Sequence, residues 1–66
     1  MTVAKVAEIS ASSKKSFEHA INDGLARAND TIDNIEGAWV KEMKVNVKNG
    51  KVDEYRVNLK VTFVLR

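Results

Sequence analysis

After Asn49-Gly50, every odd position from Tyr55 to Leu65 is large and apolar, and Arg56, Asn58, Lys60 and Thr62 alternate with them. An Asn-Gly pair supplies the two residues of positive φ that a type I′ hairpin turn requires. The strict period of two then marks a strand with one buried and one wet face. A strand of about ten residues demands more covering surface than one small helix gives. The chain is therefore expected to need copies of itself, with its function placed where those copies meet.

Length narrows the possibilities further. Sixty-six residues make a single domain spanning residues 1–66, and a chain this short buries only about 60% of the surface that its unfolded form exposes. Small scaffolds offset that shortage with disulfides, metals or oligomerisation. The chain has no cysteine, which excludes disulfides, zinc-thiolate sites and thiol nucleophiles, and its single histidine, His19, excludes a multi-histidine metal site within one chain. No apolar run approaches the roughly 20 residues of a membrane helix, and no signal-peptide pattern opens the sequence. A soluble, cytoplasmic protein without membrane partners is expected.

Eleven Lys and Arg against nine Asp and Glu give a net charge of +2. Lys14-Lys15, Lys41, Lys44, Lys48 and Lys51 are scattered and interrupted by Glu18, Glu42, Asp53 and Glu54. A nucleic-acid binder more often carries a basic stripe with interleaved aromatics, so these lysines read as solvated faces and no nucleic-acid partner is expected. A small RNA-binding module remains a third reading, which predicts a monomer or dimer.

The segment from Thr2 to Ile9 is rich in β-branched residues and reads as a first strand. In the polar run Ser10-Ala11-Ser12-Ser13, Ser12 or Ser13 is expected to cap the following helix. From Lys14 to about Thr31, Phe17, Ala20, Ile21, Gly24, Leu25 and Ala28 recur at three- and four-residue steps on one helical face. Gly24 costs about 1 kcal/mol against alanine in a helix interior, and its place on the apolar stripe implies close approach to a strand. Asn29-Asp30 and Asp33-Asn34 mark the helix end, and Ile32 and Ile35 are expected to tack the linker to the core.

A second strand runs from near Glu36 to Lys48. Ala38 and Val40 share one parity and Met43, Val45 and Val47 the other, which predicts a bulge or bend near Lys41. The fold class is thus α+β, a β-α-β-β chain with a right-handed crossover. Its three-stranded antiparallel sheet, in order 1-3-2, is covered by one helix. The alternating strand is central, and the two edges are left for partners.

No catalytic constellation is visible. A nucleophile, base and orienting acid would have to be built from His19, a serine and a carboxylate, and Glu18 and His19 point about 100° apart on a helix. His19 reads as a surface residue, and the acids at Asp30, Asp33, Asp53 and Glu54 sit at turns, where carboxylates are common. Three separated glycines make no phosphate-cradling loop. The protein is not expected to be an enzyme.

Trp39 is the one aromatic that the core stripes do not explain. It can pack at a subunit edge, or it can offer a rigid π-face to a flat ligand. Arg56, on the wet face of the last strand, can pair with a phosphate or carboxylate, or serve as a solvated or inter-subunit ion pair.

Several segments in order resemble the dodecins, a family of small flavin-binding proteins. They are Val3 to Ile9 with Glu8, Ser13-Lys14-Lys15-Ser16-Phe17-Glu18, Ala20-Ile21, Leu25-Ala26-Arg27-Ala28, Thr31-Ile32, Ile35, Val40-Lys41-Glu42, and Glu54 to Phe63. The resemblance covers nearly the whole chain. It implies a hollow homododecamer with helices outside and sheets facing a cavity. It also implies storage of a flavin, riboflavin or FMN, stacked on a tryptophan early in strand two and hydrogen-bonded by a glutamine of strand three. Aligned through Ile35 and Val40, the tryptophan position falls on Gly37, with Trp39 two residues later, and the glutamine position falls on Arg56. The candidate ligand-binding residues are therefore Trp39, Arg56 and Gly37.

Two readings stay open. One is a non-enzymatic dodecamer that binds, stores or buffers a small ligand, with flavin implied by the resemblance. The other is a flavin-free structural or ion-binding dodecamer, holding calcium at carboxylates gathered on symmetry axes, since hard cations want several oxygen ligands.

Overall fold

A computed structural model describes residues 3–65. Strand β1 spans Val3–Ser13, helix α1 Phe17–Asn29, strand β2 Ile35–Lys48 and strand β3 Lys51–Leu65. All strand pairs are antiparallel and the order is β1-β3-β2, which is the α+β arrangement expected from the sequence. The expected start of β1 at Thr2 lies outside the described residues.

The turn between β2 and β3 has φ of 53° at Asn49 and 74° at Gly50, as a type I′ turn demands. From there β3 runs down the middle of the sheet. Val57, Leu59 and Val61 are buried beneath α1, whereas Tyr55 and Phe63 are half-buried and Leu65 is exposed. The apolar alternation thus continues past the helix-covered zone at its far end. Helix α1 lays Ala20, Gly24 and Ala28 on β1 and β3, with Ile9, Ala11, Phe17, Ile21, Leu25 and Ile35 closing the core. Each fully buried Val or Leu contributes about 1.5–3 kcal/mol. Phe17 meets Tyr55 edge to face, with ring centroids 5.0 Å apart.

The helix start differs from expectation. Ser10–Ser13 does not form a capping loop, because it continues β1 and pairs with Asn58–Tyr55 of β3. The cap is Ser16, whose extended backbone (φ −170°, ψ 168°) precedes the first helical residue and whose Oγ accepts from the His19 amide at 3.0 Å. Ser13 makes a smaller local contact, its Oγ accepting from the Lys15 amide. The helix is accordingly shorter than Lys14 to Thr31. At its C-terminus the amides of Thr31 and Ile32 both donate to the Ala28 carbonyl, and Asn34, with φ of 62°, turns the chain into β2.

Three irregularities shape the β2–β3 ladder. Lys41 is the extra residue between Val40/Leu59 and Glu42/Asn58, the bulge that the parity switch implied. Glu36 and Asp53 are extra residues at the other two breaks. Since α1 hardly reaches β2, Val40, Met43 and Val47 lie on the helix side yet remain exposed, Met43 by 54%.

Candidate ligand face of the sheet

The side of the sheet away from α1 is polar and is organised in rows across the three strands. Register sets the rows: Gly37, Thr62 and Val6; Trp39, Lys60 and Glu8; Glu42, Asn58 and Ser10; Lys44, Arg56 and Ser12. Alternation along each strand sends these side chains to one face.

Trp39 is 62% exposed on this face. Two residues away, the Thr62 Oγ1 donates to the Gly37 carbonyl at 3.1 Å. A β-carbon at Gly37 would meet only that hydroxyl, at 3.6 Å, an ordinary contact distance. A large side chain is therefore absent at this position without being sterically excluded. Trp39 supplies the one indole of the face, displaced along β2 by about 6–7 Å from the position of Gly37.

Arg56 is exposed in the last row. Four residues of β3 separate it from Lys60, the cross-strand partner of Trp39, which is about 13 Å. One chain therefore brings Gly37 and Trp39 together but holds Arg56 apart from them. Arg56 also has no acceptor atom, so it cannot replace a glutamine that accepts from a ring N–H; it can donate to a ring carbonyl or an anion. For a flavin, then, the platform fits and the edge contact is of a different kind.

Between these positions runs a hydrogen-bonded network. The Ser10 Oγ donates to Asn58 Oδ1 at 2.9 Å, and Asn58 Nδ2 donates to Glu42 Oε1 at 3.2 Å. The bulge residue Lys41 reaches across to Glu8, Nζ to Oε1 at 3.1 Å. That hydrogen bond and the Glu8 charge raise the Lys41 ammonium above its ordinary value of 10.5. A depression of about 260 Å³ opens here, lined by Glu8, Ser10, Lys41, Glu42 and Asn58 among others. These residues were not singled out from the sequence. Their shared even parity was visible in Glu8, Ser10, Glu42 and Asn58, but the extra residue Lys41 was needed to close the row.

Among the described residues, no group of three or more His, Cys, Asp or Glu converges on one point. Within one chain, the Lys41 ammonium lies against the Glu8 carboxylate where a cation would otherwise approach it. His19 is exposed on α1, with Nδ1 3.7 Å from Asp23 Oδ2 and away from the polar sheet face. No helix among the described residues is long and apolar enough to cross a membrane.

Comparison with known proteins agrees with this architecture. The dodecin family model matches residues 3–66. The chain is 36% identical over 66 residues to calcium dodecin of Mycobacterium tuberculosis, covering 100% of this chain and 93% of that protein. A crystal structure of that calcium dodecin, described as a calcium-chelating antigen with a novel calcium-binding site, matches with a TM-score of 0.83 at 38% identity over 97% of this chain and 91% of the other. A dodecin mutant from Thermus thermophilus matches with a TM-score of 0.95 at 35% identity, over 100% of this chain and 98% of the other. With the family pattern running from Val3 to the C-terminal strand and the same β-α-β-β sheet beneath it, the chain belongs to the dodecin family.

Proposed function

We propose that this chain acts as one domain that assembles into a hollow, non-enzymatic homododecamer, which binds and buffers a flat aromatic ligand of the flavin class on its polar sheet face. Proteins of this family form homododecamers and bind small ligands, flavins in general. The observation that carries the reading is Trp39: a large indole, 62% exposed, standing on the polar face with no part in the core. An exposed indole offers stacking area to a planar ring, and Gly37 beside it leaves room for that ring.

The test is direct. Purified protein should sediment and scatter light as a particle of twelve chains, and adding riboflavin or FMN should quench Trp39 fluorescence. A monomer or dimer in solution sinks the assembly, and unquenched Trp39 at saturating flavin sinks the ligand.

A second reading has its own support. The Mycobacterium tuberculosis relative, 36% identical, is a calcium dodecin, and here Glu8 and Glu42 line one depression. Two carboxylates fall short of the six to eight oxygens that calcium takes, so a calcium site would be completed by carboxylates of neighbouring copies. Calorimetric titration of chelator-treated protein with calcium decides it. Binding without any flavin response favours this reading, and no heat removes it.

A further inference from the structure

The row of the polar face farthest from Trp39 has an unusual composition. Lys44 of β2 stands directly opposite Arg56 of β3, and Arg56 stands directly opposite Ser12 of β1. Directly opposed side chains have β-carbons about 4.5–5.5 Å apart, and like charges in that relation are destabilising. Both cations are exposed.

The carboxylates in the adjoining rows do not neutralise them. Glu42, one row away on β2, accepts from Asn58 Nδ2 at 3.2 Å. Glu54, one row away on β3, accepts from Asn46 Nδ2 at 3.2 Å. Glu8 is held by Lys41 and Asp53 lies 3.8 Å from Lys14. Among the described residues no carboxylate lies within ion-pair distance of Lys44 or Arg56. Two neighbouring cations are thus left facing solvent while nearby acids turn to amide and lysine donors.

This juxtaposition also depends on a specific backbone feature. A ladder continued without interruption from the Asn49-Gly50 turn would pair Lys44 with Tyr55 and Arg56 with Met43. The extra residue Asp53 shifts the register by one and brings the two cations together.

We infer that Lys44, Arg56 and the Ser12 hydroxyl form a binding row for the phosphate group of a ligand. The guanidinium fork matches two phosphate oxygens, the ammonium adds a point charge, and the serine hydroxyl donates a third bond. A bound dianion relieves the repulsion that the empty row stores. The row and the Trp39 platform are separate subsites about 13 Å apart along β3, so each can be tested alone. The inference rests on the proposed ligand-binding reading for its choice of sheet face, and it makes the preferred ligand phosphorylated.

The experiment compares FMN, riboflavin and inorganic phosphate on the assembled protein by calorimetry and Trp39 quenching. FMN is expected to bind at least tenfold more tightly than riboflavin, with an advantage that shrinks in high salt. Arg56→Gln and Lys44→Gln should each narrow that gap by weakening FMN, and the double variant should close it while scattering as the same particle. Equal affinity for FMN and riboflavin overturns the inference and leaves the flavin reading standing. If neither flavin binds, the flavin reading fails and inorganic phosphate decides the row. Heat that the double variant abolishes supports it; no heat overturns it. Heat unchanged in the double variant also overturns it, because the phosphate then sits elsewhere.

Discussion

A β-carbon built on Gly24 of α1 would lie 2.8 Å from the β-carbon of Ala11 on β1. Helix and strand approach so closely there that neither residue has a flexible end to withdraw. The same virtual atom would sit at ordinary distances, 3.6 and 3.7 Å, from Leu59 and Ile9. The constraint is therefore specific to the Gly24–Ala11 pair.

Gly24→Ala should destabilise the protein although it improves helix propensity by about 1 kcal/mol. Overpacking of a fitted core costs about 1–3 kcal/mol. Denaturant unfolding of Gly24→Ala, Ala11→Gly and the double variant should show the double recovering part of the loss. A more stable Gly24→Ala would mean that helix and strand separate freely.

Ser16→Ala should cost about 1 kcal/mol, the usual effect of losing an N-cap. Ser12→Ala and Ser13→Ala should cost less, because Ser13 bonds only the Lys15 amide and Ser12 lies within β1. Thermal unfolding of the three variants ranks them. A greater loss at Ser12 than at Ser16 contradicts the observed cap.

Leu59 is 1% exposed between α1 and the sheet. Leu59→Ala should cost about 2–5 kcal/mol through the cavity it leaves. Leu59→Asp should abolish the folded state, because its carboxylate has no partner there. Circular dichroism of the Asp variant checks this, and a native spectrum would refute the burial.

Trp39→Ala should remove flavin affinity, read by flavin fluorescence, while the particle size holds. Dissociation of the particle would instead make the indole part of a subunit contact. Gly37→Trp should fold normally, since only the Thr62 hydroxyl is near, and should tighten flavin binding by adding a second platform. Weaker binding in that variant would place the ligand away from this end of β2.

The hydrogen bond from Lys41 to Glu8, together with the Glu8 charge, raises the Lys41 pKa. Its contribution to stability is therefore full below the unfolded value of 10.5 and is lost as pH rises through the higher folded value. Denaturation midpoints measured from pH 9 to 12 should fall more steeply in the native protein than in Lys41→Met. Parallel pH profiles would show that the pair adds nothing to the fold.

Most of the fold was legible in the residues because local signals agreed. The parity of Tyr55 to Leu65, the Asn49-Gly50 turn, the break near Lys41 and the position of Gly24 each pointed to one arrangement. The serine run misled for a physical reason. Ser10 to Ser13 carry cap chemistry, yet pairing with β3 satisfied their backbone and extended β1 to the threshold of the helix. The binding face was less legible, because cross-strand neighbours depend on register. The parity pattern indicated the break at Lys41, but nothing in composition announced the extra residues at Asp53 and Glu36. Without the one at Asp53, Lys44 does not face Arg56.

The uncovered apolar line on β2 has a thermodynamic consequence. Val40, Met43 and Val47 gain nothing from folding of a single chain while they stay in water. Any contact that covers them in an assembly adds its free energy to that of folding. Melting temperature should then climb with protein concentration, by mass action. For such a chain a stability quoted without its concentration describes the vessel as much as the molecule.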